Sequence, residues 1–422
     1  MKVTPFQIIV LALFAVSIVA GVIVLATSKT SNKAASIAIT VWGTMPAGSF
    51  NAASKYLDDM KSPIKITYIE KKPELFDSSL IEALASGVGP DAIVLPQDLI
   101  IRYRDKIIPI PFTSMSLPTF KSLFIEEGEL YVDASGIVAL PFSIDPLVMY
   151  WNRDMLSNAG VALPPRSWDE FIALVPKLTV KDQNQNILKS GLAFGEVSNI
   201  TNAKEIISTL LMQTGNPITA YGPTRLESRL APATIGSVGA INFYTDFANP
   251  IKPDYSWNRA LPNSKDVFSA GDLAFYFGFA SEISQIRNKN PNLNFDVTYF
   301  PQPKGATVSV TFGKMQGLAV LRNSRNTAGA FQGIISMTGI GPIDYLARET
   351  GMPPVLRSLL VANPSDPYQS VFYSSAVRAK AWLDPNPAMS KTVFQNMIES
   401  ITGGELDVGR AINLAGDSLN RI

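Results

Sequence analysis

Side chains able to do covalent chemistry are few in this chain. His and Cys are both absent from its 422 residues, which removes Ser-His-Asp and Cys-His catalysis, thiolate or imidazole metal sites and any disulfide framework. A nucleophile would have to come from a Ser-Lys pair or a carboxylate dyad. The S-x-x-K match is Ser62 to Lys65, but it runs into the β-branched stretch Ile66 to Ile69 and holds Pro63 inside it, whereas the nucleophile of that motif opens a helix. The paired carboxylates Glu126 and Glu127 read as a solvated face. Few common enzyme mechanisms survive that, and no catalysed reaction, cofactor or metal is expected, which leaves a non-covalent grip on a ligand as the role to weigh against them.

Such a grip needs rigid elements behind it. Ile37 to Trp42 is β-branched and bounded by Gly43, which predicts a strand ending in a loop. Phe76, Leu80, Ile81 and Leu84 make a helical stripe that Gly87 can end, and Ala92 to Leu95 is a short buried strand stopped by Pro96. Strand, helix, strand is the grammar of a parallel α/β layer. Ligands of open α/β sheets bind outside the C-terminal strand ends, so Trp42 with Gly43, and Gln97 with Asp98, are expected to face one cleft. Trp42 is an apolar platform or a core residue, and Asp98 a ligand contact or a helix N-cap.

A second region begins after Val138 to Pro141, with a strand over Leu147 to Trp151 and a short helix at Asp154 to Leu156. The next helix carries a Ser167/Glu170 capping box and an apolar stripe of Trp168, Phe171, Ile172, Val175 and Leu178, which assigns Trp168 to the core. Further helices are expected over Ala328 to Met337, Pro387 to Ile401 and from Asp407 onwards, the last with Val408, Ala411, Ile412, Ala415 and Leu419 inward.

The chain is too long for one ordinary core, so two domains are expected. Apolar residues make up 46% and charged ones 17%, a folded globular balance. Net charge is +1 with no basic stripe, which argues against nucleic acid as a partner. Phe6 to Ala26 carries no charge; as a helix it would span about 31 Å at ~1.5 Å per residue, the thickness of a bilayer core. It is read as an uncleaved membrane anchor, with a cleaved signal peptide ending near Ala26 as the alternative. Thr27 to Ala35 then forms a polar spacer.

Several segments together resemble extracellular solute-binding protein family 1, the receptors of ABC-type sugar importers, of which maltose-binding protein is the familiar type. The most specific is Ala139 to Gly160 (ALPFSIDPLVMYWNRDMLSNAG), continued by Pro164 to Phe171 (PPRSWDEF). Ala85 to Asp91 (ASGVGPD), Phe268 to Phe275 (FSAGDLAF) and Thr350 to Pro354 (TGMPP) support it by order and spacing. The resemblance implies a two-lobed α/β periplasmic-binding-protein type II fold with an interlobe hinge, preceded by an N-terminal transmembrane helix. Residues 1–35 would be anchor and spacer, 36–142 with about 302–345 lobe 1, and 143–301 with about 346–422 lobe 2. It further implies a monomeric extracytoplasmic receptor, held at the cell membrane, that takes a carbohydrate-like solute into the interlobe cleft and delivers it to ABC permease subunits. The same fold could instead take a peptide or nucleoside, or act as a ligand sensor.

Two departures from the family pattern matter. The lipidated cysteine of many members is impossible here, which favours the transmembrane anchor. The loop near Gly278 lacks the Trp that often follows, so Phe279 stands where a sugar-stacking Trp would be expected. Sugars present ring hydroxyls and C–H faces, so their sites combine aromatic platforms with carboxylate and amide partners. On that basis Asp145, between the lobes, binds a hydroxyl or braces the hinge, and Trp257, Phe279, Phe312 and Trp382 are candidate aromatic contacts, each with a packing role as its alternative.

Overall fold

Short apolar strands alternating with amphipathic helices build the sheet that organises this protein. The computed structural model describes residues 36–361 and 364–422; the apolar run Phe6 to Ala26 lies outside them. Among the described residues no helix is long and apolar enough to cross a membrane. The main strands are β1 (Ile37–Gly43), β2 (Ile64–Glu70), β3 (Ala92–Pro96), β4 (Leu140–Asn152), β5 (Val180–Lys181), β6 (Ile187–Leu192), β7 (Leu273–Phe279), β8 (Phe295–Thr298), β9 (Thr311–Val320) and β10 (Ala379–Lys380). They form one sheet in the order β2-β1-β3-β9-β4-β7-β6-β5, with β8 also on β4 and β10 on β9.

The order departs from chain order because two strands serve both halves. β4 pairs with β9 over Leu140 to Pro146 and with β7 over Leu147 to Trp151. β9 pairs with β3 from Gln316 to Val320 and with β10 at Thr311 and Phe312. Ladders change partner along one continuous strand, so the chain crosses between two α/β halves without a flexible linker.

The helices that cover the sheet are α1 (Ala47–Asp59), α2 (Pro73–Ala85), α3 (Trp168–Leu178), α4 (Ala203–Gln213), α5 (Ile235–Asp246), α6 (Ser264–Ala270), α7 (Thr327–Met337), α8 (Ile340–Thr350), α9 (Pro367–Ala376), α10 (Pro387–Thr402) and α11 (Val408–Leu419). In the first half α7 and α8 pack on α1. The following chain stays there, since Ile125 N donates to Val355 O at 3.1 Å and Leu356 bridges Phe124. In the second half α10 and α11 pack on each other and on α5. Its core is a run of aromatic rings, with Trp168 between 5.2 and 5.9 Å from Phe171, Phe194, Phe243, Phe277 and Phe300. Tilted and edge-on pairs of this kind are worth about 0.5–1.5 kcal/mol each beyond burial.

Three sequence expectations need correction. The Ser167/Glu170 capping box does not form: Glu170 accepts instead from Arg166 N at 2.8 Å. The cause is tertiary, because residues 166–168 pair with Gln302, which uses Arg166 O and Trp168 N and holds Ser167 in extended backbone. Ile172, placed on the apolar stripe of α3, is exposed; the buried positions are Trp168, Phe171, Val175 and Leu178. Glu126 and Glu127 do not share a solvated face. The tight 3-10 turn over Glu126–Tyr131 points Glu126 outward, where it pairs with Lys380, and buries Glu127.

Candidate functional site

The end of β3 meets the crossing strand β9 at the cleft between the halves. Past β3, Gln97 donates from Nε2 to Gly313 O at 2.6 Å and accepts at Oε1 from Met315 N at 2.7 Å. Tyr131 donates its hydroxyl to Leu95 O at 2.7 Å and to Met315 O at 3.1 Å. These side chains satisfy the backbone of β9 where it leaves its ladder with β3, as buried peptide groups require. Gln97 therefore borders the cleft with its amide already committed to holding the crossing strand.

Three chambers follow one another along the cleft. The first, ≈ 500 Å³, is lined by Thr44, Ser49, Asp145, Gln285, Lys314 and Gln316 together with apolar side chains of α8 and the chain after it. The second, ≈ 520 Å³, brings Phe312 and Trp382 beside Asp98, Lys204, Glu205 and Asp384. The third, ≈ 580 Å³, is more polar, with Ser198, Asn202, Lys391 and Gln395. The first and second share Thr44, Lys314 and Gln316, and the second and third share Asp98, Lys204, Glu205 and Pro387.

Charge in the cleft is arranged in pairs. Lys204, in the first turn of α4, forms a largely buried ion pair with Asp384 and donates to Ser390 Oγ at 2.9 Å. Ser390 in turn donates to Asp384 at 2.7 Å. Ser390 itself is fully buried and lines none of the chambers. Lys314, on β9, reaches Glu205 of α4 at 3.2 Å and stands 3.9 Å from the centroid of the Phe279 ring. Burial pushes the Asp98 carboxyl up; Lys204 pulls against that rise and Asp384 adds to it. Burial likewise raises Asp145 to about 6, against the opposing pull of Ser281, whose backbone N donates to it at 3.0 Å, and of Lys314. Asp145 thus joins β4 to the 281 turn and also faces the first chamber.

Glu282 ties two parts of this wall together. It accepts from Tyr276 Oη at 2.6 Å, Asn202 Nδ2 at 2.8 Å, Phe279 N at 2.9 Å and Lys265 Nζ at 2.9 Å. Burial alone would push its carboxyl up, but the hydrogen bonds from Tyr276, Lys265 and Phe279 outweigh that and hold it low. The network fixes Asn202, and with it Lys204 and Glu205, relative to Ser281.

Of the residues singled out from sequence, Gln97, Asp98, Asp145, Phe312 and Trp382 line the chambers. Trp382 is anchored by its Nε1, which donates to Ser208 Oγ at 3.1 Å, and by stacking on Phe394. Trp42 and Gly43 line none of the chambers; the Lys71 ammonium sits 3.9 Å from the centroid of the Trp42 ring, and Gly43 is wedged against Val94 and Tyr68. Trp257 is fully buried in the second half, bonded to Asn199 at 3.1 Å. Phe279 is buried beneath Lys314. Sequence reasoning missed Lys204, Glu205, Lys314 and Asp384, which carry no local motif; the Asp-Pro-Asn-Pro run at 384–387 was the one available signal of a shaped loop. Among the described residues no group of acidic side chains is arranged to hold a metal ion.

Two α/β halves joined by continuous crossing strands around a polar, charge-paired cleft define a two-lobed solute-binding fold. Residues 60–334, well over half of the chain, match the bacterial extracellular solute-binding proteins, and the chain belongs to that family. Curated relatives in Brucella abortus and Brucella suis, described as binding proteins, are 22% identical over 262 residues. That match covers 59% of this chain and 58% of theirs, so the chain spans under two-thirds of the length of these relatives. Among solved structures, the cyclic α-maltosyl-1,6-maltose binding protein from Arthrobacter globiformis superposes with a TM-score of 0.75 at 17% identity, covering 91% of this chain and 98% of that one. A cyclo/maltodextrin-binding protein complexed with maltotetraose gives 0.73 at 16% identity, covering 93% and 98%.

Proposed function

We propose that this protein is the extracytoplasmic receptor of an ABC import system, which captures a carbohydrate in the interlobe cleft, passes it to a membrane permease and catalyses no reaction. One observation carries the ligand class. In the second chamber the nearly buried rings of Trp382 and Phe312 border Asp98, Lys204, Glu205 and Asp384, aromatic and charged groups side by side as a saccharide site uses them. The ligands named for the solved relatives, maltotetraose and a cyclic maltosyl-maltose, agree with it.

Phe6 to Ala26 is proposed as the anchor that keeps this monomeric receptor at the cell membrane. Lobe 1 is proposed to comprise 36 to about 143 and about 313 to 361, since α8 and the chain to Leu356 pack on first-half elements. Lobe 2 is proposed to comprise about 144 to 312 and 364 to 422.

The test uses residues 34–422 in a thermal-shift screen against saccharides, nucleosides and peptides. A ligand at ~100 times its dissociation constant adds about 2.7 kcal/mol of stability. Its binding should also compact the protein in small-angle scattering as the halves close. Stabilisation by nucleosides or peptides alone overturns the carbohydrate assignment, and hydrolysis of any stabilising compound overturns the receptor role.

A further inference from the structure

The first two chambers are of similar size and have three wall residues in common, Thr44, Lys314 and Gln316. Residues that face both must stand at their junction. Of the three, Thr44 and Gln316 belong to the first half, where Gln316 is turned towards Ser143 at 3.4 Å. Lys314 alone extends from the crossing strand to a helix of the second half, ending 3.2 Å from Glu205 with its ammonium beside the Phe279 ring. Its stem therefore spans the opening between the chambers.

We infer that Lys314, held across the cleft by Glu205, is a partition that sets how long a saccharide the receptor accepts. The inference rests on the carbohydrate reading above. With the partition in place each chamber, at ≈ 500 and ≈ 520 Å³, is the size of a single small-ligand pocket; joined, they reach about 1,000 Å³, the top of the usual range of ~300–1,000 Å³. The latch is weak by construction. Lys314 is about half exposed at its side chain and Glu205 one-fifth, so the ion pair is screened and contributes little. The Lys314 head is otherwise met by the face of Phe279 and by the charges of Asp98 and Asp145, contacts that guide the ammonium without locking it.

Removing the stem should leave the fold intact, because Lys314 is exposed on β9 while its neighbours Gly313 and Met315 make the buried contacts. The experiment compares the wild type with Lys314→Ala and Lys314→Arg by calorimetric titration against malto-, manno-, xylo- and cello-oligosaccharide ladders of one to about seven rings. Lys314→Ala should move the preferred length upward and improve the ratio of long-chain to short-chain affinity by about three- to tenfold, the scale of a weak ion pair and one cation-π contact. Lys314→Arg, which keeps the stem and the pairing with Glu205, should retain the wild-type preference. If Lys314→Ala weakens every length by one common factor, Lys314 is an ordinary ligand contact and the partition is overturned; an unchanged profile overturns it equally. If the wild type binds no member of any ladder, the carbohydrate reading itself fails, and the two failures are told apart.

Discussion

Glu127, packed against Gly313 of the crossing strand β9, allows a test of how that strand is held. It is 3% exposed, and both of its carboxylate oxygens lack a hydrogen-bond partner. Burial pushes its carboxyl from 4.5 to about 8; the nearby Lys380 ammonium lowers it somewhat but is itself bonded to Glu126. The adjacent Tyr131 phenol, raised well above its usual value by burial and by Glu127, contributes no charge. In an unfolded chain the Glu127 carboxyl ionises near 4.5, so the native state holds the extra proton between the two values. Its contribution to stability is fully present below about 4.5, declines as pH rises towards 8 and is flat beyond. At ~1.36 kcal/mol per pH unit, the loss between pH 5 and pH 8 comes to about 3 kcal/mol. Glu127→Gln removes the titration while keeping the shape. Urea unfolding of both proteins at pH 5, 6, 7 and 8 should show the variant gaining on the wild type by roughly this amount across the series. Parallel stability curves would refute the reasoning and require an unseen partner for the carboxylate.

Two further predictions concern neighbouring parts of the same machinery. A Cβ at Gly313 would lie 1.9 Å from Glu127 Oε2, so Gly313→Ala should destabilise by about 1–3 kcal/mol through overpacking, and combining it with Glu127→Ala should recover much of the loss in chemical denaturation. Asp384→Asn strips the buried Lys204 of its counter-charge and should cost about 3–5 kcal/mol, read in the same assay; a loss under 1 kcal/mol would mean that water or Ser390 suffices for Lys204.

Much of the fold could be read along the chain because its signals are local. The β-branched run of β1, the apolar strand β3 and the stripe of α11 each declare their period within a dozen residues, and each occurs where expected. The site was less legible because its charges meet through the fold: Lys204 and Asp384 are 180 residues apart in sequence. Trp42 shows the limit of strand-end reasoning. Along β1 the buried positions are Ile39, Val41 and Gly43, so period-two alternation turns Trp42 to the other face with Thr40, under Lys71. The Glu126-Glu127 doublet was misread for a similar reason, since a 3-10 turn separates adjacent side chains that a surface helix or loop would leave together. Trp257 carried no sign in its neighbours that an Asn199 partner would satisfy its indole inside a core.

The sharing of β4 and β9 has a consequence for how the molecule comes into being. A ribosome releases residues in order, yet the sheet edge formed by β3 is covered only when β9 arrives, more than two hundred residues later. Until then the newly made N-terminal portion carries an open strand edge and an apolar flank that α7 and α8 will eventually close. Completion of the first half is thus tied in time as well as in space to the synthesis of the second.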